Sequence, residues 1–439
     1  MESIQSSNEM EMPLELWGGV ECTCNRVGNH HFDQMELSGH SNRADDFERF
    51  AELGIGTLRV GLLWEEYEER ASWQHHDARL HTIRSIGIRP IAGLVHHGSG
   101  PRHTSLLDPA FPEKLASYAE AVAERYPWID AYTPVNEPNT TARFSGMYGV
   151  WYPHHHSRRS YLLALLNQLK GTVLSMEAIR RVTPDAQLIQ TDDLGRVSGT
   201  AELQSTWELL NLRQWLPFDL LCGRIDRHHP MFSYMRNEGI AEKEIFWFME
   251  HPCPPTVVGA NYYVTSDRYL DHRVDLYPSN LRSSEGPFVD IEAVRIRESG
   301  IVGFASVLHE AWDRYRIPVA VTEVHLGCEV EEQIRWIAAA WRSAVAARQD
   351  GVNCIAVTIW ALLGSFYWNE LVTTANGYYE AGVFDLTSGY PVETDLANIV
   401  RQMAAGNNPA HDALDDCGWW EHDNRICSPV AADIEEVAA

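Results

Sequence analysis

The chain has 439 residues, with 35 Lys+Arg against 61 Asp+Glu and a formal net charge of −26. Apolar residues make up 45% and charged residues 22%, the balance of a globular protein with a large core rather than of a disordered, collagenous or low-complexity one. So acidic a chain, in which Lys114, Lys170 and Lys243 are the only lysines, argues against nucleic acid and anionic membranes as partners, and no run of about 18 apolar residues is present to span a bilayer.

The opening stretch MESIQSSNEMEMP has neither a basic region nor an apolar core, so it does not read as a secretion signal; residues 1–12 read as a disordered polar tail. Strand patterns follow at 14–20, 57–63, 88–95, 129–135, 186–191, 256–263, 317–323 and 353–360. Most are unbroken apolar runs, as expected for parallel strands buried on both faces. Helical patterns lie between them. They cover 41–53 up to Gly54, 112–126 from Pro112 to just before Pro127, 158–182, 290–315 and 330–349. The long stretch 192–255 reads as a helical elaboration of the rim. Strands alternating with helices predict a single closed (β/α)8 TIM barrel over 13–427. A doubly wound open sheet is the rival, but WGGVECTCNRVG after the first strand has no GxGxxG phosphate turn. Residues 428–439 read as a second disordered tail. Eight scattered cysteines without a CxxC pair read as free thiols of a reducing cytoplasm, the expected location. Histidine doublets and the triplet His154-His155-His156 invite a metal reading. Adjacent histidines on a strand point to opposite faces, however, so a doublet supplies one ligand at best, and neither metal nor other cofactor is expected.

The reactive groups of a parallel barrel belong at the carboxyl ends of its strands. Strand one leads there into Glu21 and Asn25, and strand two carries Arg59. Strand three ends at His96-His97 and strand four at Asn136-Glu137-Pro138. Strand six ends at Asn261-Tyr262-Tyr263, strand seven at Thr322-Glu323 and strand eight at Trp360. Strands four and seven face each other across a barrel mouth, which sets Glu137 opposite Glu323. Two facing carboxylates are what glycoside cleavage needs: one protonates the departing oxygen, and the other attacks the anomeric carbon or, given more room, activates water. The 15 tryptophans include candidate platforms for sugar rings, so a small carbohydrate or glycoside is the expected substrate. The oligomeric state is left open.

Seven segments resemble, in order, those of the family 1 glycoside hydrolases of the β-glucosidase type. LWGGVECTCN (16–25) is similar to that family's opening strand, and ADDFERFAELGIGTLRVGLLW (44–64) to its second unit, with Arg59 at the family's arginine. PIAGLVHH (90–97) resembles the strand that ends in a substrate-binding histidine, a role the resemblance assigns to His96. TPVNEP (133–138) resembles the acid/base motif and VAVTEVHLG (319–327) the nucleophile motif, which implies Glu137 as acid/base and Glu323 as nucleophile. VVGANYY (257–263) sets Asn261 and Tyr263 at family positions, and IWALLGSFYW (359–368) sets Trp360 and Trp368 at sugar-contacting tryptophans. Asn136 is then implied to bond the sugar 2-hydroxyl, while Arg59 and the Tyr263 hydroxyl keep Glu323 ionised. The chain also resembles bacterial glycosidase-like domains that precede a sugar-nucleotide reductase module of the dTDP-4-dehydrorhamnose type.

The chain departs from the family in its glycone pocket. Asn25 stands where the family usually has Gln, Tyr367 where it has a Glu that grips two sugar hydroxyls, Val324-His325 where it has Asn-Gly, and His97 where it has an aromatic residue. The expected function is a retaining, exo-acting β-glycosidase whose glycone is not plain glucose. The alternatives are a catalytically weak sugar-binding or regulatory relative, and a transglycosylase using the same two glutamates. A phosphoglycosidase is disfavoured, because 360–390 contains no Lys or Arg to hold phosphate.

Overall fold

A computed structural model describes residues 13–296 and 300–425; the two expected tails, 1–12 and 428–439, lie outside them. Eight parallel strands close into a barrel: β1 (Glu15–Gly19), β2 (Thr57–Gly61), β3 (Arg89–His96), β4 (Ala131–Asn136), β5 (Gln187–Asp193), β6 (Val257–Asn261), β7 (Val319–Val324) and β8 (Cys354–Ile359). Each pairs with its sequence neighbours, and β8 closes on β1 through Glu15 opposite Ala356 and Trp17 opposite Thr358. A helix follows each strand: α1 (Asp46–Glu52), α2 (Gln74–Ser85), α3 (Phe111–Arg125), α4 (Arg158–Val182), α5 (Gln204–Leu221), α6 (Gly303–Tyr315), α7 (Val330–Gln349) and α8 (Leu396–Ala404). This is the expected (β/α)8 fold. The helices cover the strands from outside, so both strand faces are buried and the apolar runs are unbroken.

Inside, the barrel is graded along its axis. Its amino-terminal end is plugged by Trp17, Ile91, Ala131, Ile189, Val257, Ala320 and Ala356, one from each strand except β2. Above the plug the inward residues turn small and polar, among them Gly19, Thr191, Gly259 and Thr322. That layer leaves space for the Arg59 side chain to reach across the barrel. Gly19 is needed for a second reason: a Cβ there would lie 2.3 Å from the Trp360 ring, which rests on the glycine backbone.

Two expectations are corrected. The helix expected over 290–315 begins only at Gly303. Val289–Glu292 is a strand instead, antiparallel to Arg268–Asp271, which in turn pairs in parallel with Val197–Gly199. Val289 and Ile291 are buried while Asp290 and Glu292 are half-exposed, a period of two that a helical reading overlooks. The histidine doublet is the second case. His97 leaves the strand at φ +54°, so its ring turns to the same side as His96, with centroids 4.9 Å apart. The strand rule of opposite faces ends where the strand ends.

Candidate active site

The register carries the site. At the carboxyl ends His96 pairs with Asn136, and Asn261 pairs with both Asp193 and Glu323. Glu137 follows β4 directly, at φ +44°, and opens the short helix Pro138–Ala142. Both glutamates therefore stand at one end of the barrel, and both are buried.

Arg59 is the hub. Its Nη1 donates to Glu323 Oε1 at 2.8 Å and to the Thr322 carbonyl at 2.7 Å, and its Nη2 donates to Asn136 Oδ1 at 2.6 Å. Tyr263 donates its hydroxyl to the other Glu323 oxygen at 2.6 Å. Glu323 thus has a guanidinium on one oxygen and a phenol on the other, which oppose the effect of burial on its ionisation. Glu137 has less support. Asn261 Nδ2 donates to it at 2.6 Å, while burial and the neighbouring Glu323 charge push its carboxyl well above the usual range. Burial raises the Glu323 carboxyl too, but against the Arg59 and Tyr263 donors, whereas Glu137 is pushed well above its usual range, so a shared proton favours Glu137.

The other expected residues surround this pair. The Trp360 ring lies parallel to His96 with centroids 5.3 Å apart, and the Arg59 guanidinium sits 4.7 Å from the Trp360 ring centre. Asn136 is engaged within the protein: its oxygen also accepts from Thr191 Oγ1, and its Nδ2 faces His96 Nε2 at 3.2 Å. Asn261 accepts from Thr322 Oγ1 and so braces Glu137 against β7. Asn25 is fully buried; its Nδ2 donates to the Val372 carbonyl, and its Oδ1 has no partner among the described residues. Trp368 lies edge-on to His97 and Trp151, with its Nε1 buried and unpartnered. Tyr367 is half-buried and turned edge-on to Phe32. Glu370, in the same loop, is exposed.

Sequence reasoning gave several neighbours no role in the site. His97 Nε2 is 3.8 Å from Glu137, and its Nδ1 bonds Thr141. Trp151 donates its indole N–H to the Leu371 carbonyl, so the 367–373 loop is tied down over the mouth at two points. Glu21 is buried within 3.3 Å of the Trp360 indole nitrogen; its place after strand one was the available signal. Two of the histidine triplet serve loop structure: His154 accepts from the Gly28 N–H through Nε2 and donates from Nδ1 to the Gly149 carbonyl, and His155 Nδ1 bonds the Ser160 hydroxyl.

The closed (β/α)8 barrel matches the fold of solved family 1 β-glucosidases. A Thermotoga maritima family 1 glycoside hydrolase, complexed with a cyclophellitol analogue transition state mimic, superposes with a TM-score of 0.74 at 16% identity over 91% of this chain and 98% of that one. The β-glucosidase from the same organism in complex with methoxycarbonyl-substituted glucoimidazole gives 0.70 at 17% identity, over 85% and 88% of the two chains. In sequence, the phospho-cellobiase of Klebsiella oxytoca is 22% identical over 347 residues, 69% of this chain and 68% of that protein. No protein-family model matches the chain. In sequence and fold it resembles the family 1 glycoside hydrolases, as a divergent β-glucosidase-like relative. Among the described residues no helix is long and apolar enough to cross a membrane.

Proposed function

We propose that the chain is a retaining, exo-acting β-glycosidase that hydrolyses O-glycosidic bonds. The observation that carries this reading is the unequal pair: Glu323 gripped by Arg59 and Tyr263, and Glu137 buried beside it with a raised pKa. In the first step Glu323 attacks the anomeric carbon as the glycosidic bond breaks, and Glu137 gives its proton to the departing oxygen. In the second, Glu137 takes a proton from water, which displaces Glu323 and releases the sugar with its configuration retained. Trp360 and Trp368 serve as the sugar-facing walls. The reading places the enzyme in the cytoplasm, in keeping with the free cysteines among the described residues.

The glycone is not plain glucose. Tyr367 offers one phenolic oxygen and a ring where a carboxylate would accept two hydrogen bonds. Phospho-sugars fit no better, because 360–390 has no cationic side chain. One observation favours the second reading, a weakly catalytic sugar-binding relative: Asn25 and Trp151 spend their donors on the chain's own Val372 and Leu371 carbonyls. A panel of 2-fluoro glycosyl donors separates the two by mass spectrometry. A covalent adduct on Glu323 is expected and identifies the accepted glycone. Reversible binding without an adduct from any donor overturns the hydrolase in favour of the binding protein.

A further inference from the structure

The site contains a third carboxylate, Glu21, whose hydrogen bonding is incomplete. It lies two residues beyond β1, 5% exposed, at the edge of the Trp360 platform. Its Oε1 accepts from the Thr23 N–H at 2.8 Å, and its Oε2 receives the Trp360 indole N–H at 3.3 Å. His96 Nε2 is 3.9 Å away but supplies nothing. The Asn136 oxygen is identified by two donors, Arg59 and Thr191, so the Asn136 group facing His96 is the NH2. His96 Nε2 therefore accepts, its ring proton is on Nδ1, and Glu21 faces a lone pair. Arg59 is committed to Glu323, Thr322 and Asn136, and no other Lys or Arg among the described residues approaches Glu21 within ion-pair distance.

A carboxylate has about four acceptor positions. Glu21 fills two of them, one at a long distance, and a buried acceptor left unfilled is costly. Asn25 Oδ1, also buried and unpartnered, is a second free acceptor, and Trp368 Nε1 is a free donor. Unfilled acceptors of this kind suit a ligand rich in hydroxyl donors. Arg59 balances one carboxylate, and Glu21 adds a second, so an anionic glycone is repelled.

We infer that Glu21 is the specificity-determining carboxylate of this site: it accepts hydrogen bonds from hydroxyls of a neutral glycone stacked on Trp360, and it supplies from β1 the grip that Tyr367 lacks in the 360–370 loop. This rests on the glycosidase reading for its kinetic consequence, though not for binding itself. The test is therefore made on binding and turnover together, with Glu21→Gln, which keeps an oxygen for the Thr23 N–H, and Glu21→Asp, which keeps the charge and withdraws it.

The probes are neutral, unhydrolysed lactams of the gluco, galacto and manno configurations; the parent lactam bound most tightly is titrated by calorimetry together with its 3-, 4- and 6-deoxy counterparts. Glu21→Gln is expected to weaken the parent lactam about ten- to a hundredfold, and to weaken at least one deoxy lactam far less, because the bond in question is already missing there. Glu21→Asp is expected to fall between the two. The kcat/KM of aryl β-glycosides that the enzyme turns over should drop by the same factor, with Glu323 still trapped by the 2-fluoro donor. Equal weakening of all four lactams means a structural role and overturns the inference, as does unchanged binding or a wild type that binds no lactam. A wild type that binds the lactams with the expected Glu21 dependence, yet never forms an adduct, overturns only the hydrolase reading.

Discussion

The two glutamates differ in what touches them, and that difference is measurable. Glu323→Ala is expected to abolish turnover, with azide restoring a product of inverted configuration. Glu137→Ala should spare aryl glycosides with good leaving groups, and azide should there give the retained configuration. NMR of the products decides, and interchanged stereochemistry would reverse the assignment. The pH profile tests the supporting residues. Asn261 donates to Glu137 and so lowers its pKa; Asn261→Ala removes the donor, the pKa rises further, and the alkaline limb of kcat/KM moves to higher pH. Tyr263→Phe removes a bond to a charged acceptor, about 1.5–3 kcal/mol. Glu323 then holds its proton to higher pH, and the acidic limb moves up. A limb that moves down in either variant contradicts the supporting role of that residue.

At the scale of elements, strain gathers where the strands stop. Eight non-glycine residues among those described have positive φ, and five of them are His97, Glu137, Tyr367, Leu371 and Val372. A β-branched residue such as Val372 rarely tolerates φ +53°. Its carbonyl bond from Asn25, and that of Leu371 from Trp151, hold the loop in this shape. None of this is legible in the sequence: a helical or strand period can be read from apolar spacing, whereas a loop held by contacts 220 to 347 residues away in sequence cannot. The segment leading from Glu137 into α4 is tightly built as well. A Cβ on Gly146 would lie 2.7 Å from the Tyr161 nitrogen and 2.8 Å from Ser160 backbone atoms, with no flexible side chain to yield. Gly146→Ala should cost about 1–3 kcal/mol in urea unfolding and lower turnover by displacing Glu137. Unchanged stability would mean that this contact relaxes freely.

Over the whole molecule, a net charge of −26 repels itself, so the melting temperature should rise between low and moderate salt as the repulsion is screened. A fall in scanning calorimetry would show that particular ion pairs outweigh the overall field. Buried acids add a pH dependence. Burial raises Asp192 to about 8, Glu65 to about 7 and Asp33 to about 6. The folded chain holds these protons where the unfolded chain, with carboxylate pKa values near 4, has lost them. Their contribution to stability is therefore complete below about pH 4 and is lost as pH rises toward 8. Asp192→Asn should gain on the wild type in melting temperature between pH 5 and pH 8; a constant offset would mean that Asp192 does not titrate in that range.

What the sequence by itself determined is the barrel and the ends of its strands. Unbroken apolar runs separated by helical periods are local signals, and chain order then sets strand four opposite strand seven, so Glu137 and Glu323 were legible as a pair. Their neighbours Arg59, Asn136 and Tyr263 were legible with them, because each sits at or beside a strand end. Only the tertiary structure decided which groups are satisfied and which are left open. Asn261 turned to Glu137, Asn25 was engaged by Val372, His97 turned inward and Glu21 was left with unfilled acceptor positions. Hydrogen bonding inside a closed barrel depends on atoms brought within about 3 Å from distant strands, and a linear pattern of residue types does not encode those distances.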